Sequence, residues 1–239
     1  MLEVIAAITR ALRDLTRGGL ILHALWPPIL SLVGWGVVGV MTWTPGTTWL
    51  AGILPTLPWQ GLAWLTDWGA GFLFLCALAP LIYVTTVLLL GAIALPRMMT
   101  VVALRHYPDL SRQGSAMSAL WGGIANTLKV SAIYLLGWML TLPLLLIPGV
   151  LLVLPLLWTA WMAQRSFRFD ALAEHATSTE MQRLFQREGQ RLRLAGIVSA
   201  LANYVPILNL IAPAFAGLVF MHLCLSALRR LRQEEGITL

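Results

Sequence analysis

Asn203 to Pro213 reads NYVPILNLIAP and interrupts the otherwise apolar run 194–228. Pro206 and Pro213 break helical hydrogen bonding, and Asn203 and Asn209 set amides into sequence that otherwise suits lipid. In hydrocarbon an unpaired backbone group costs several kcal/mol. Broken backbone is tolerated at membrane depth only where protein or a water-filled cavity covers it. That condition makes Asn203, Pro206 and Asn209 the tip of a re-entrant helical hairpin spanning 194–228. Pro213 then opens the returning helix at its first position, where its missing N–H is harmless.

A second tip lies at LPLLLIPG, residues 142–149, through Pro143, Pro148 and Gly149. The uncharged stretches on either side, 130–142 and 150–162, each give about 20 Å of helix, short of a ~30 Å hydrocarbon core. They are therefore expected to be half-membrane legs. Met117, Leu120, Trp121, Ile124 and Leu128 recur at helical spacing just before them, so 115–164 reads as an amphipathic helix followed by a re-entrant hairpin. Working outward, 20–42 and 70–95 are apolar and long enough to span. Residues 43–68 hold Trp43, Trp49, Trp59, Trp64 and Trp68 with no Lys or Arg, as expected of a periplasmic loop lying at headgroup level. Residues 1–17 form an interfacial helix, with Val4, Ile5, Ile8, Leu12 and Leu15 on one side and Arg10, Arg13, Asp14 and Arg17 on the other. Residues 165–193 are expected to be polar helices in the cytoplasm.

The expected fold is thus an all-α integral membrane protein forming one unit over 1–239. Two spanning helices, two half-membrane helical hairpins, and amphipathic and cytoplasmic helices compose it. This topology puts all 16 Lys and Arg on one side of the membrane, which places both termini in the cytoplasm by the positive-inside rule. Composition agrees. The chain of 239 residues is 59% hydrophobic and 11% charged, with mean hydropathy +0.80, whereas soluble domains carry about 25% charged residues. The apolar run after residue 17 is too long for a secretory signal. A net charge of +6, placed beside membrane segments, suits anionic lipid headgroups and not nucleic acid. Cys76 and Cys224 read as small packing residues. No phosphate-binding loop, dinucleotide fingerprint, nucleophile elbow or zinc-protease motif occurs, so no catalytic residue, cofactor or metal is expected.

Two constellations can receive an anion. Arg17, Gly18, Gly19, Leu20 and Ile21 bring open amides, a helix N-terminus and a cation together; the alternative is a snorkelling arginine beside a flexible turn. The hairpin tips, Pro143, Pro148 and Gly149 with Asn203, Pro206, Asn209 and Pro213, aim helix N-termini into the membrane; alternatively the asparagines only satisfy backbone freed by the prolines. Asp170, Glu174, His175 and Glu180 read as a solvated, salt-bridged surface. His222 is not paired with Cys224, since the two point to different faces. His23 reads as packed or interfacial, and Lys129 as snorkelling outward. So few ionisable groups inside the apolar runs favour a channel over a proton-coupled carrier.

Three stretches carry a family resemblance. They are Pro206, Asn209 and Pro213 followed by AFAGLVF, the polar block RFDALAEH, and RGGLILHALWPPILS with Gly19, Leu20 and Pro27. The chain resembles the CysZ sulfate-permease family, which includes the etoposide-induced proteins. The resemblance implies a bacterial inner-membrane protein with hemi-penetrating hairpins, homo-oligomeric and associated with sulfate uptake. Where the family pattern has Gly-Leu-Arg, with the arginine implied to hold sulfate, this chain has Ile21. A later asparagine of that pattern is Ser31. The expected function is passage of a small oxyanion such as sulfate without ATP hydrolysis. A membrane scaffold or lipid-interacting protein is the other reading.

Overall fold

The computed structural model describes residues 1–17, 19–54, 63–110, 116–205, 209 and 211–236. They form α1 (Leu2–Arg17), α2 (Leu20–Met41), α3 (Trp43–Ile53), α4 (Ala63–Leu89), a π-helical turn (Leu90–Ala94) and α5 (Leu95–His106). Then come α6 (Ala116–Thr141), a 3₁₀ turn (Leu142–Leu146), α7 (Val150–Leu172), α8 (Ser178–Arg187), α9 (Gly189–Ala202) and α10 (Ala212–Glu234). No strand occurs among the described residues.

The centre of the protein is α10. Its apolar window is 83% buried, and α1, α5, α7, α8 and α9 pack around it. Leu218, Val219, Phe220, Leu223, Leu225 and Leu228 supply its core face. An all-round apolar helix reads as membrane in sequence, but here protein covers it. Two arms project from this centre, α2 with α3 and α4, and α6 with α7. Their apolar windows are between 6% and 28% buried, and they present Leu, Ile, Val and Trp outward. Such surface is stable only against lipid or another chain.

Five helical segments are long and apolar enough to cross a membrane, namely Leu20–Met41, Trp68–His106, Trp121–Leu146, Val150–Leu172 and Ala212–Glu234. Two were expected. The uncharged stretches alone made the 115–164 hairpin look half-depth. In the structure α6 runs unbroken through Lys129 and α7 through Arg165, so both legs are longer than their apolar parts. The expected 70–95 span is likewise part of a continuous 39-residue segment in which the π-turn joins α4 to α5.

The tryptophan-rich segment between α2 and α4 is in part helical. Helix α3 starts at Trp43, and α4 already includes Trp64 and Trp68; residues 55–62, with Trp59, lie outside the description. Pro45 sits in the first turn of α3, where a missing N–H costs little. Trp43 meets Phe74 edge-on at 5.5 Å, fastening α3 to α4.

Polar contacts join the α2–α4 arm. Ser31 Oγ donates to the Ile82 carbonyl at 2.7 Å, and Trp35 Nε1 donates to Thr85 Oγ1 at 3.0 Å. Elsewhere close approach does this work. A Cβ at Gly196 of α9 would lie 2.6 Å from the Ala160 backbone oxygen of α7, a small-residue contact typical of membrane helices. Cys224 is buried as expected, whereas Cys76 is exposed on α4.

Candidate functional site

The buried face of α1 differs from the one its hydrophobic spacing suggests. Ile5 and Leu12 are exposed, while Val4, Ala7, Ala11, Asp14 and Leu15 are buried. Alanine at 7 and 11 lets α1 approach α10 closely, and that face carries Asp14 inward. A buried carboxylate needs partners, and Asp14 has two. Its Oδ1 lies 3.0 Å from His106 Nε2 at the end of α5, and its Oδ2 lies 2.9 Å from His222 Nε2 in the middle of α10. His222 Nδ1 in turn lies 3.2 Å from the Tyr107 hydroxyl, which also reaches the His222 carbonyl at 3.2 Å.

Arg229 stands over the Tyr107 ring at 4.9 Å, donates to the His106 carbonyl at 3.0 Å, and pairs with Asp109. Burial pushes the Tyr107 hydroxyl above its ordinary value, against the Arg10 guanidinium beside it. His222, Asp14 and Tyr107 are buried and His106 is exposed, so the cluster opens at the His106 side. Sequence reading missed it. Its residues stand 92 and 208 positions apart, and only Asp14 beside Ala7 and Ala11 hinted at a polar interior. Of these groups only His222 lies within one of the apolar runs; Asp14 and His106 lie outside them.

The polar end of the molecule is held by ion pairs. Glu180, expected on a solvated surface, is instead buried. It accepts from Arg232 Nε at 2.8 Å and closes a capping box with Thr177 at the start of α8. Burial favours its neutral acid, but the bonds from Arg232 and Thr177 outweigh this and hold the carboxyl below its ordinary value of 4.5. Arg183 and Arg187 pair with Glu235 and Glu234 at 2.7 and 2.8 Å, not with Asp170 or Glu174. Glu3 pairs with Arg230 and, at 2.8 Å, with Arg191. The Arg230 guanidinium holds the Glu3 carboxyl below its usual range.

Two of the cavities differ in the charged residues that line them. One of about 740 Å³ between the π-turn, α6 and α7 is lined by Asp170, Glu174 and His175 together with apolar side chains. The other, about 70 Å³, lies between α6 and α7 and is lined by Lys129, Arg165, Arg168 and Asn126, with no carboxylate among its lining residues. Arg165 stands over Trp161 at 5.5 Å, and Arg168 over Phe185 at 4.0 Å. Lys129 therefore faces a cationic pocket as well as solvent.

The residues singled out from sequence fall in three places. Gly18 lies outside the described residues, as does the Arg17 side chain. Gly19 is exposed in the left-handed conformation at φ 70° and precedes α2, whose first turn has no side-chain cap and no acidic residue. Leu20 is buried and Ile21 half-buried. Pro143 lies in the 3₁₀ turn, and Pro148 and Gly149, the latter at φ 88°, turn the chain into α7. Pro206 lies outside the description, and Pro213 sits in the first turn of α10. Asn203 Nδ2 donates to the Ser199 carbonyl at 3.0 Å, four residues back. Just after α9, the Tyr204 hydroxyl donates to the Leu152 carbonyl in the first turn of α7 at 3.4 Å. His23 is exposed.

The family model described as sulfate transporter CysZ/etoposide-induced protein 2.4 matches residues 7–213. The chain belongs to this family. The match runs from α1 to Pro213 and leaves out Glu3, His222 and the charged end of α10. It makes the chain a multi-pass member of a transporter family, in keeping with its apolar helices. No curated protein and no solved structure matches the chain.

Proposed function

We propose that the chain mediates or assists passage of a small oxyanion across the bacterial inner membrane without ATP hydrolysis, sulfate being the substrate to test first. The family match over 7–213 carries this reading. The uncapped start of α2 after Gly19 supports it locally, because amides at a helix N-terminus favour an anion. Arg17, Gly18, Gly19, Leu20 and Ile21 compose that part of the path. Lys129, Arg165 and Arg168 offer a second cationic station.

The path runs between copies of the chain, in a homo-oligomer bedded in lipid, where the exposed apolar faces of the two arms meet. Both termini lie on the cytoplasmic side. The pairing of Glu3 with Arg230 and Arg191 supports this, since it brings the start of α1 to the end of α10. One observation favours a non-transporting scaffold instead: among the described residues, the cavity of about 740 Å³ is lined by Asp170, Glu174 and His175 and by no Lys or Arg.

Labelled sulfate uptake into proteoliposomes, beside empty liposomes, decides between them. Saturable uptake that is lost in Arg17→Ala with Gly19→Val, from a preparation with unchanged helical circular dichroism, is the expected result. Uptake no faster than the empty control, from folded protein, would overturn the transport reading.

A further inference from the structure

Asp14, His106 and His222 arrive from three helices and offer one ligand atom each, all within 4.8 Å of one another. We propose that they form a binding site for a divalent transition metal of the zinc class, clamping α1 and the end of α5 onto α10. Two imidazoles and one carboxylate are the donor set of three-ligand zinc sites, in which a water or substrate completes the shell. The two histidines converge on the carboxylate through Nε2, at 3.0 and 2.9 Å. Ligands of a tetrahedral zinc stand roughly 3.3 Å apart, so donor atoms that already lie within 4.8 Å of one another close on one ion with small side-chain rotations.

The second requirement is the right tautomer. Zinc takes the lone pair of Nε2, so the proton must sit on Nδ1 and have an acceptor there. The Tyr107 hydroxyl lies 3.2 Å from His222 Nδ1 and 3.2 Å from the His222 carbonyl. It can therefore turn its own proton to the carbonyl and accept the one on Nδ1. With a metal on Nε2, the Nδ1 proton keeps an acceptor in the Tyr107 hydroxyl, which makes Tyr107 a positioning residue for the metal form. The remaining coordination position faces outward, because His106 is exposed while Asp14 and His222 are buried. Of the two cations beside Tyr107, Arg229 is matched by Asp109, and Arg10 lies against the Tyr107 hydroxyl.

The test is zinc binding by tag-free, detergent-purified full-length protein, measured by competition with a chromophoric chelator, and repeated with cobalt to read the ligand-field spectrum. One metal per chain is expected, with cobalt bands of a four- or five-coordinate site. His106→Gln, whose exposed side chain leaves the core intact, and Asp14→Asn should each weaken binding by about tenfold or more. His23→Gln should bind as the wild type does. No stoichiometric binding, or equal affinity in His106→Gln, would overturn the site.

Discussion

Glu180 and Arg232 show how much one pair of side chains carries. Both are buried, Arg232 almost wholly, and the arginine also donates to the His175 carbonyl at 2.7 Å. Removing one member leaves the other uncompensated, so Glu180→Gln or Arg232→Met should cost about 3–5 kcal/mol of stability, read as a fall in melting temperature. The pH dependence has a definite sign. A carboxyl held below its ordinary 4.5 stabilises the fold above that pH and loses the contribution as pH falls through its folded value. Wild-type melting temperature should thus drop on acidification below about 4.5, and Glu180→Gln should show a flatter profile. An equal slope in both would assign acid sensitivity to other groups. At Ile21 the chain departs from the Gly-Leu-Arg pattern. Ile21→Arg adds a fork-shaped donor beside the open start of α2, and sulfate uptake should rise several-fold. An unchanged rate would remove this turn from the path.

Helices, not residues, set the closest approaches. Between α7 and α9 the obstacle to any side chain at 196 is a backbone oxygen, which cannot rotate away. Gly196→Val should therefore separate the two helices and destabilise the protein by about 1–3 kcal/mol, measured as earlier thermal aggregation in detergent. A wild-type melting curve would mean that α9 is free to shift. In the α2–α4 arm, Ser31→Ala removes the bond to Ile82 and should cost about 0.6 kcal/mol, the mean for interhelical bonds in membranes. Helix length was the element-scale property least legible in sequence. Counting uncharged residues found where the apolar stretches lie but not that α6 and α7 continue through Lys129 and Arg165. Charged side chains end an apolar run without ending a helix. The same limit applies at 43–53, where tryptophans, Pro45 and Gly46 suggested loop and the packing of Trp43 on Phe74 accompanies helix.

For the whole molecule, the outward apolar face of α6, with Trp121, Leu128, Leu136 and Leu140 exposed, requires lipid or a neighbour. If copies of the chain enclose the anion path, native mass spectrometry from mild detergent should give multiples of 26.3 kDa. A sole monomer that still conducts would place the path within one chain. Composition, charge placement and the proline-bearing turns determined from sequence alone that this is a helical membrane protein with tips near 143–149 and 203–213, because those features depend on local chain chemistry and on the lipid solvent. Tertiary structure alone decided that α10 is wrapped by protein instead of lipid, that Asp14 faces inward, and that His106, His222 and Tyr107 meet it. Apolar side chains look the same to sequence whether lipid or protein covers them. Residues 92 and 208 positions apart share no local pattern, and only the packing of α1, α5 and α10 brings them together.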